Sequence, residues 1–495
     1  MKVCFFFNWE FSRMCHALAK YIKEKDPDSS FSGVMVQRKE LNWVKSQGEI
    51  NYDLIVLEEL FNKYKSEQLD EKLIEQYEKK YANPSLWEWV YADRDLSVPF
   101  SSNAYSHDDL RKMVQVLVRE FEGFLKKNKP DFLVFDCIAS LPAFALYNVA
   151  KKMDIQTVTF TYSRAEDRVY FVSNPYDKPD EVLSFFKEIR KNGKRPKKAE
   201  EEALAFLERF RSQGVKPKYI QNMAVSEKNI FSLKGHVARF FEYWKEYYLD
   251  GYSNDYTFKG KNPFKRTYEK AAFFTRKKMK YKSYFEPAVE GESFAFFPLH
   301  LDPELATMVQ APPYVDQAAL IRTIARALPM NMKLYVKEHP LMFSRGWRAP
   351  KFYEAIKKIP NVRLVDPNLS AREMIQKSKL VLTITGTAGF EALLYQKPMI
   401  CFGEAMYTDM EFVVKAKNLL DLPKIIASAL SSYRHDEKEL TDFLVALYHK
   451  SVPINLALLM GYVYPNITAK EIFENPDFKL LADYMHENVL SKRKA

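Results

Sequence analysis

The stretch Lys333-Leu-Tyr-Val-Lys-Glu-His-Pro340 is the most informative one for chemistry. An apolar run ends at Lys337, Glu338 and His339, and Pro340, which has no N–H, stops the ladder. Side chains at the carboxyl end of a buried strand point into the ligand cleft of an α/β sheet. An imidazole placed there can donate to a phosphate oxygen, and a lysine can neutralise its charge. Pro340 fixes φ and stiffens the turn that presents His339. The competing possibility is a histidine that only caps a strand end. A second stretch, Leu380-Val-Leu-Thr-Ile-Thr-Gly-Thr-Ala-Gly-Phe-Glu-Ala392, carries a strand into a small, hydroxyl-rich turn and then a helix. Thr385, Gly386, Thr387 and Gly389 let the backbone approach an anion, and N–H groups at the helix start can bind a phosphate. Glu391 either accepts from ribose hydroxyls or only complements the helix dipole. The turn lacks the Gly-Lys-Ser/Thr of a P-loop and the Gly-x-Gly-x-x-Gly of a dinucleotide site, so neither P-loop hydrolysis nor Rossmann redox chemistry is favoured.

In a third stretch, Phe296-Phe-Pro-Leu-His-Leu-Asp-Pro-Glu304, a strand leads to His300, Asp302 and Glu304 at a cleft floor or hinge. His300 joins the expected phosphate-binding set; for Asp302 a purely structural role is equally open. A catalytic base is expected from the other half of the chain. Glu10, Asp136, Glu166 and Asp167 each sit at or just past a strand end, and no motif singles one out. Arg164 and Arg168 either bind an acidic sugar or acceptor, or pair with Glu166 and Asp167. Asp93-Arg94-Asp95 matches the letters of a nucleotide-sugar metal motif. It follows the Trp-rich run 87–91 rather than a clear strand, so a solvated loop and metal-independent chemistry are expected.

These side chains need strands that alternate with helices. Val3–Phe7, Leu54–Leu57, Phe132–Phe135 and Thr157–Thr161 read as buried strands, with helical spacing between them. Alternation returns with strands at Ser293–Phe297, Lys333–Val336, Val362–Val365, Leu380–Thr383 and Met399–Phe402. Helices are expected at Asp316–Leu328, Lys351–Lys358, Ser370–Lys377 and Gly389–Tyr395, with Ser370 and Glu373 forming a capping box. The predicted fold is α/β: two Rossmann-like domains with a helical, basic middle region. The expected boundaries are 1–180 for the first α/β domain, 181–290 for the helical basic and aromatic region, 291–432 for the second α/β domain and 433–495 for a helical tail. Pro465 and Pro476 are expected to interrupt the tail, and its last residues to fray.

The bulk properties agree. The chain has 495 residues, 47% apolar and 28% charged, too long for one ordinary core and too apolar for disorder. No apolar run is long enough to span a bilayer, and the first residues read as a strand rather than a secretory signal. The cysteines Cys4, Cys15, Cys137 and Cys401 are scattered without metal-ligand spacing, so a reducing compartment is expected. A net charge of +11 fits nucleic acid, an anionic membrane surface or phosphorylated substrates. The basic runs 187–198 and 259–282 read either as solvated helix faces or, in the second, as an aromatic-rich surface lying on anionic lipid.

Phe296–His300, Pro303-Glu304, Val315-Asp316-Gln317, Lys333–Pro340 and Thr385–Ala392 together resemble the capsule polysaccharide synthesis proteins, a family that includes transferases of 3-deoxy-manno-octulosonic acid (Kdo). The likeness is concentrated in 293–410; Arg164–Tyr176 is similar more loosely. Several Kdo transferases have Gln-Pro where this chain has Asp302-Pro303. The resemblance implies a GT-B fold, a nucleotide-sugar donor in the C-terminal domain, and His339-Pro340 contacting donor phosphate. The expected function is a glycosyltransferase that moves Kdo or another acidic sugar, from a CMP-sugar by preference, to a surface polysaccharide or its lipid anchor. Its expected partners are the nucleotide-sugar, a glycan or glycolipid acceptor and an anionic membrane surface, with no nucleic acid and no cofactor. A cytoplasmic place, peripheral on the inner face of the membrane, goes with this. The rivals are a polyol-phosphate transferase of the wall-polymer type, a sugar-nucleotide 2-epimerase and, outside enzymes, a basic nucleic-acid-binding protein.

Overall fold

The computed structural model describes residues 1–8, 11–81, 85–97, 105–213, 233–249, 262–268, 281–342, 348–461 and 467–491. Two six-stranded sheets organise them. The first contains β1 (Lys2–Phe7), β2 (Ser30–Met35), β3 (Tyr52–Val56), β4 (Phe132–Phe135), β5 (Gln156–Tyr162) and β6 (Val169–Val172). Their spatial order is β3-β2-β1-β4-β5-β6, parallel except for the antiparallel edge strand β6. The second contains β7 (Phe294–Pro298), β8 (Lys333–Lys337), β9 (Val362–Val365), β10 (Leu380–Thr383), β11 (Met399–Cys401) and β12 (Val414–Lys415), in the order β12-β11-β10-β7-β8-β9, all parallel. The fold is thus the expected pair of Rossmann-like α/β units.

The buried strands read as continuous apolar runs because helices cover both faces. β2 escaped that pattern: Ser30, Ser32 and Gly33 break its apolar run. Gly33 is required there, since a Cβ would lie 2.3 Å from the Phe7 ring. β6 and the two-residue β12 were also not expected; both are short edge strands. Ser370 caps its helix by accepting from the Glu373 N–H, and Asp316 caps the helix Gln317–Ala327 through the Ala319 N–H.

The helices Asp180–Asn192 and Lys197–Gln213, from the expected middle region, pack with Glu437–His449 on the second sheet. Phe186 meets Phe443 edge-on at 5.7 Å, and Phe206 lies 5.9 Å from Tyr448. Arg195, counted in the basic run 187–198, is not simply solvated: it binds the buried Asp442 carboxylate at 2.7 Å and Glu200 at 2.9 Å. Most of the second basic run, 259–282, lies outside the described residues.

After Glu437–His449 the chain returns to the first domain. Val452 forms an antiparallel bridge with Val169, and the helices Ala469–Glu474 and Pro476–Met485 join the first domain's core. Pro476 starts its helix instead of interrupting one, because its missing N–H is an orphan at that position anyway. Pro465 lies outside the described residues. Arg168 fastens the crossing. Its guanidinium donates to Tyr448 O at 2.8 Å, Ser451 O at 2.9 Å and Ser451 Oγ at 2.8 Å. It is therefore committed to the end of a helix, where its charge complements the free carbonyls, and to the Glu202 carboxylate at 3.4 Å. In the other direction, Met308 and Val309 of the second domain are buried in the first domain's core.

Candidate active site

Each sheet reverses its direction of growth once. The second sheet runs β7-β8-β9 one way and β10-β11-β12 the other, so its switch point lies between β7 and β10. In the first sheet the switch point lies between β1 and β4. Ligands of open α/β sheets bind at the carboxyl ends of strands at these points. The residues there are His300 and Thr385 in the second domain, and Asn8 and Asp136 in the first.

His300 is buried. Its backbone is held by Gln317, whose Oε1 accepts the His300 N–H at 2.8 Å and whose Nε2 donates to His300 O at 3.2 Å. The ring Nε2 accepts the Thr385 N–H at 3.2 Å. The neutral ring therefore carries its proton on Nδ1, and that buried atom has no hydrogen-bond partner. Burial pushes the imidazole down to about 3, and repulsion from His339 when that ring is protonated, and from the Arg164 and Arg348 charges, acts in the same direction. The ring is thus a neutral donor in a positive local field. Gly386 packs on it so closely that a Cβ would stand 3.1 Å from Nε2 and 2.9 Å from Thr383 Oγ1. Gly386 donates to Thr383 Oγ1 at 3.0 Å, and its carbonyl accepts from Tyr407 at 2.8 Å. The helix Thr387–Leu394 begins at this point. Gly389 is as constrained, because a Cβ would come within 2.5 Å of the Tyr407 hydroxyl.

The Thr385 hydroxyl donates to Ala306 O at 3.3 Å and so ties the turn to the segment around Ala306. Thr387 and Glu391 are half-buried in the first turns of the helix. His339 is half-buried at the end of β8, and its Nδ1 accepts the Leu341 N–H at 3.2 Å, which leaves the proton of the neutral ring on Nε2. Pro340 is exposed and opens a short 3₁₀ turn. Lys337 is buried at the last position of β8.

Glu338 departs from its expected role at the donor. Its carboxylate is fully buried and accepts from Arg348 Nε at 3.0 Å, Tyr353 OH at 2.7 Å and the His339 N–H at 2.6 Å. Arg348 also reaches Asp302 at 3.3 Å and the carbonyl of His300. One buried guanidinium thus ties together the ends of β7 and β8, the two strands that carry the site's histidines. No motif marks Arg348, which sits in a loop.

The first domain reaches this site through Arg164, which donates to Thr385 O at 3.0 Å and pairs with the buried Asp177 at 2.7 Å. Glu166 is engaged elsewhere: it accepts from Arg209 at 2.6 Å and Tyr448 at 2.8 Å, while Asp167 is half-buried. Asp136 follows β4, and its Oδ2 accepts from Asn8 Nδ2 at 2.8 Å across the switch point. Its Oδ1 is buried without a partner. Burial pushes this carboxyl up to about 6, against hydrogen bonds from Cys137 and Asn8 that favour its charged form. Glu10 lies outside the described residues. Asp93 is not in a solvated loop. It is buried, accepts the Leu141 and Asp95 N–H groups at 2.9 Å each, and is raised by burial and by Asp95 to about 7. A cavity of about 460 Å³ lies at the opposite, amino ends of β4 and β5, lined by Lys129, Asp131 and Gln156 among others. None of the chemically suggestive residues reaches it, so chemistry rather than cavity size locates the site.

Residues 306–418 match the family described as capsule polysaccharide biosynthesis proteins. That stretch contains both His339-Pro340 and the Thr385–Gly389 turn, and the resemblance expected from those motifs holds. Protein FixF of Sinorhizobium fredii (strain NBRC 101917 / NGR234) is 27% identical over 173 residues, which is 34% of this chain and 40% of FixF. The chain therefore spans less than half the length of that relative. Among solved structures, the chain is similar to the KpsC β-Kdo 2,7 transferase of Thermosulfurimonas dismutans, with 13% identity over 77% of this chain and 90% of that one and a TM-score of 0.35. It is also similar to the UDP-GlcNAc 2-epimerase of Neisseria meningitidis, with 10% identity over 90% of this chain and 94% of that one and a TM-score of 0.27.

Proposed function

We propose that the chain is a glycosyltransferase of capsule-type surface polysaccharide synthesis, taking its sugar from a nucleotide donor. One observation carries this reading. Both switch points present a buried polar atom without a partner: a hydrogen-bond donor, His300 Nδ1, in the second domain and a carboxylate oxygen, Asp136 Oδ1, in the first. A donor in a positive field suits an anionic phosphate, and a carboxyl poised near 6 suits proton removal near neutral pH.

In the proposed reaction the second domain holds the donor's phosphate. His339, through Nε2–H, and the backbone around Gly386–Ala388 stabilise charge on the phosphate as the sugar–phosphate bond breaks. The acceptor hydroxyl oxygen forms its new bond to the anomeric carbon, and its proton passes to Asp136. Asp136 is preferred to Glu166, whose oxygens already serve Arg209 and Tyr448. His300 offers its Nδ1–H to the same phosphate while its Nε2 fixes the Thr385 turn, and Arg348 acts as a positioning residue that joins the strand ends. The CMP-linked acidic sugar and the glycolipid acceptor follow from the resemblance and belong to the same proposal.

The test is product analysis with nucleotide-sugars, with and without a glycan acceptor. The proposal expects release of the free nucleotide only when acceptor is present, and loss of that release in Asp136→Asn. Conversion of the sugar-nucleotide without acceptor would replace the transferase by an epimerase.

A further inference from the structure

The helix Leu233–Tyr248 lies outside the family match and takes no part in the proposed reaction. Its positions Val237, Phe241, Trp244 and Tyr248 follow helical spacing and form one stripe. That stripe is solvent-facing: Val237 is 53% exposed, Phe241 62%, Trp244 41% and Tyr248 52%. The segment Asn262–Tyr268 packs beside this helix and extends the surface with Phe264, 64% exposed, and Tyr268, 74% exposed. The packing between the two is specific. The Arg266 guanidinium lies 3.6 Å above the Tyr243 ring and pairs with Glu246 at 3.0 Å, while Phe240 meets Phe264 edge-on at 5.5 Å. The exposed stripe is therefore the outer face of an ordered pair, whose inner face is already satisfied.

A soluble surface rarely leaves so many large apolar side chains together without a use. The stripe's composition and its charge identify the occupant. Phe, Trp and Tyr, with an apolar body and (in two of them) a polar tip, are the residues that settle at a membrane–water boundary. Lys245 and Lys265 are exposed on the same two segments, against one exposed acid, Glu242. In the sequence, positions 259–282, of which 262–268 form the described segment, hold many lysines and arginines against the single acid Glu269. A protein partner's core would not call for that charge, whereas phosphate headgroups do. Among the described residues no helix is long and apolar enough to cross a membrane, so contact would be in the plane of the surface.

We propose that the helix Leu233–Tyr248 and the segment beside it seat the protein on an anionic lipid surface, with the aromatic stripe in the headgroup–acyl boundary and the lysines on lipid phosphate. The full chain is floated with vesicles of phosphatidylcholine alone and of phosphatidylcholine mixed with phosphatidylglycerol, at low and high salt. Co-flotation with the anionic vesicles is expected at low salt, weakened by salt and about tenfold lower on neutral vesicles, the factor that each 1.4 kcal/mol of binding represents. Phe241→Ser with Trp244→Ser should lower anionic-vesicle binding about tenfold while the circular dichroism spectrum is kept. If that pair does not fold, Trp244→Ser and Tyr248→Ser are tested singly. Lys245→Gln with Lys265→Gln should flatten the salt dependence. A wild type that binds neither vesicle, or stripe variants that float as well as wild type, overturns the proposal. So does a concentration-dependent dimer that the stripe variants abolish in a protein that ignores vesicles.

Discussion

Removing the carboxylate of Glu338 should unfold the second domain at a much lower temperature without touching any exposed group. In Glu338→Ala the guanidinium of Arg348 keeps only the His300 carbonyl and the partly exposed Asp302 as polar partners, and Tyr353 OH loses its acceptor. The Glu338 side chain is 0% exposed and that of Arg348 6%. Breaking such a pair from one side strands a buried charge, at a cost of about 3–5 kcal/mol. For a domain of this size each kcal/mol moves the melting temperature by roughly 2–4 °C, so a fall of roughly 6–20 °C is expected. The same calculation predicts strong coupling. Glu338→Leu combined with Arg348→Met removes both charges and should recover most of the loss, with an interaction energy of about 2 kcal/mol or more. The assay is thermal and urea unfolding of the two singles and the double, read by circular dichroism and fluorescence. A single-variant loss below about 1 kcal/mol, the range of a surface ion pair, would refute the reasoning. Additive singles would refute it as well.

Asp136→Asn should abolish transfer yet raise stability at neutral pH. A carboxyl raised from 3.8 to about 6 favours the protonated fold, so its ionisation costs stability as pH climbs through that window, by up to about 3 kcal/mol at pH 7. The acid limb of the kcat/KM profile should accordingly have its midpoint near 6, and unchanged activity in the variant would remove Asp136 from the mechanism. His300 behaves in the opposite sense. Its folded pKa lies below the unfolded value of 6.5, so its contribution is intact above that pH and lost as pH falls toward 3. Between pH 7 and 5, urea unfolding of His300→Gln should show about 2 kcal/mol less acid destabilisation than wild type, and equal pH slopes would contradict the neutral buried ring. Arg168→Met should cost about 2–4 kcal/mol through its lost hydrogen bonds to Ser451 and Tyr448, measured by urea unfolding; a loss within about 0.5 kcal/mol would mean that the crossing is held by other contacts.

The strands that carry His339 and Thr385 were legible because each is a continuous apolar run ending in a polar or small residue. β2 was not, since a glycine forced by the Phe7 ring and two serines mask its burial. Without β2 the strand order, and hence the switch point between Asn8 and Asp136, stayed hidden. Asp136 was visible as a strand-end acid, but what sets it apart from Glu166 is tertiary. Glu166 is consumed by Arg209 and by Tyr448 from a helix far along the chain, whereas Asp136 Oδ1 is left alone. Glu338 misled for the same reason: its place at a strand end pointed to a ligand, and its partner Arg348 comes from a loop with no pattern. The return of the C-terminal helices to the first domain rests on Arg168 and on the Val169–Val452 bridge, contacts that no periodicity announces.

The central claim is that the second domain grips a nucleotide's phosphate beside His339 and the Thr385–Gly389 turn. Calorimetric titration of CMP, UDP, GDP and CDP into the wild type, His339→Ala and Gly386→Val tests it most directly. One nucleotide should bind the wild type and, at about 100 times its Kd, stabilise it by about 2.7 kcal/mol. His339→Ala should weaken that binding at least about tenfold. Gly386→Val, whose Cβ would press on His300 and Thr383, should abolish it. Binding of no nucleotide, or equal affinity in all three proteins, would contradict the account.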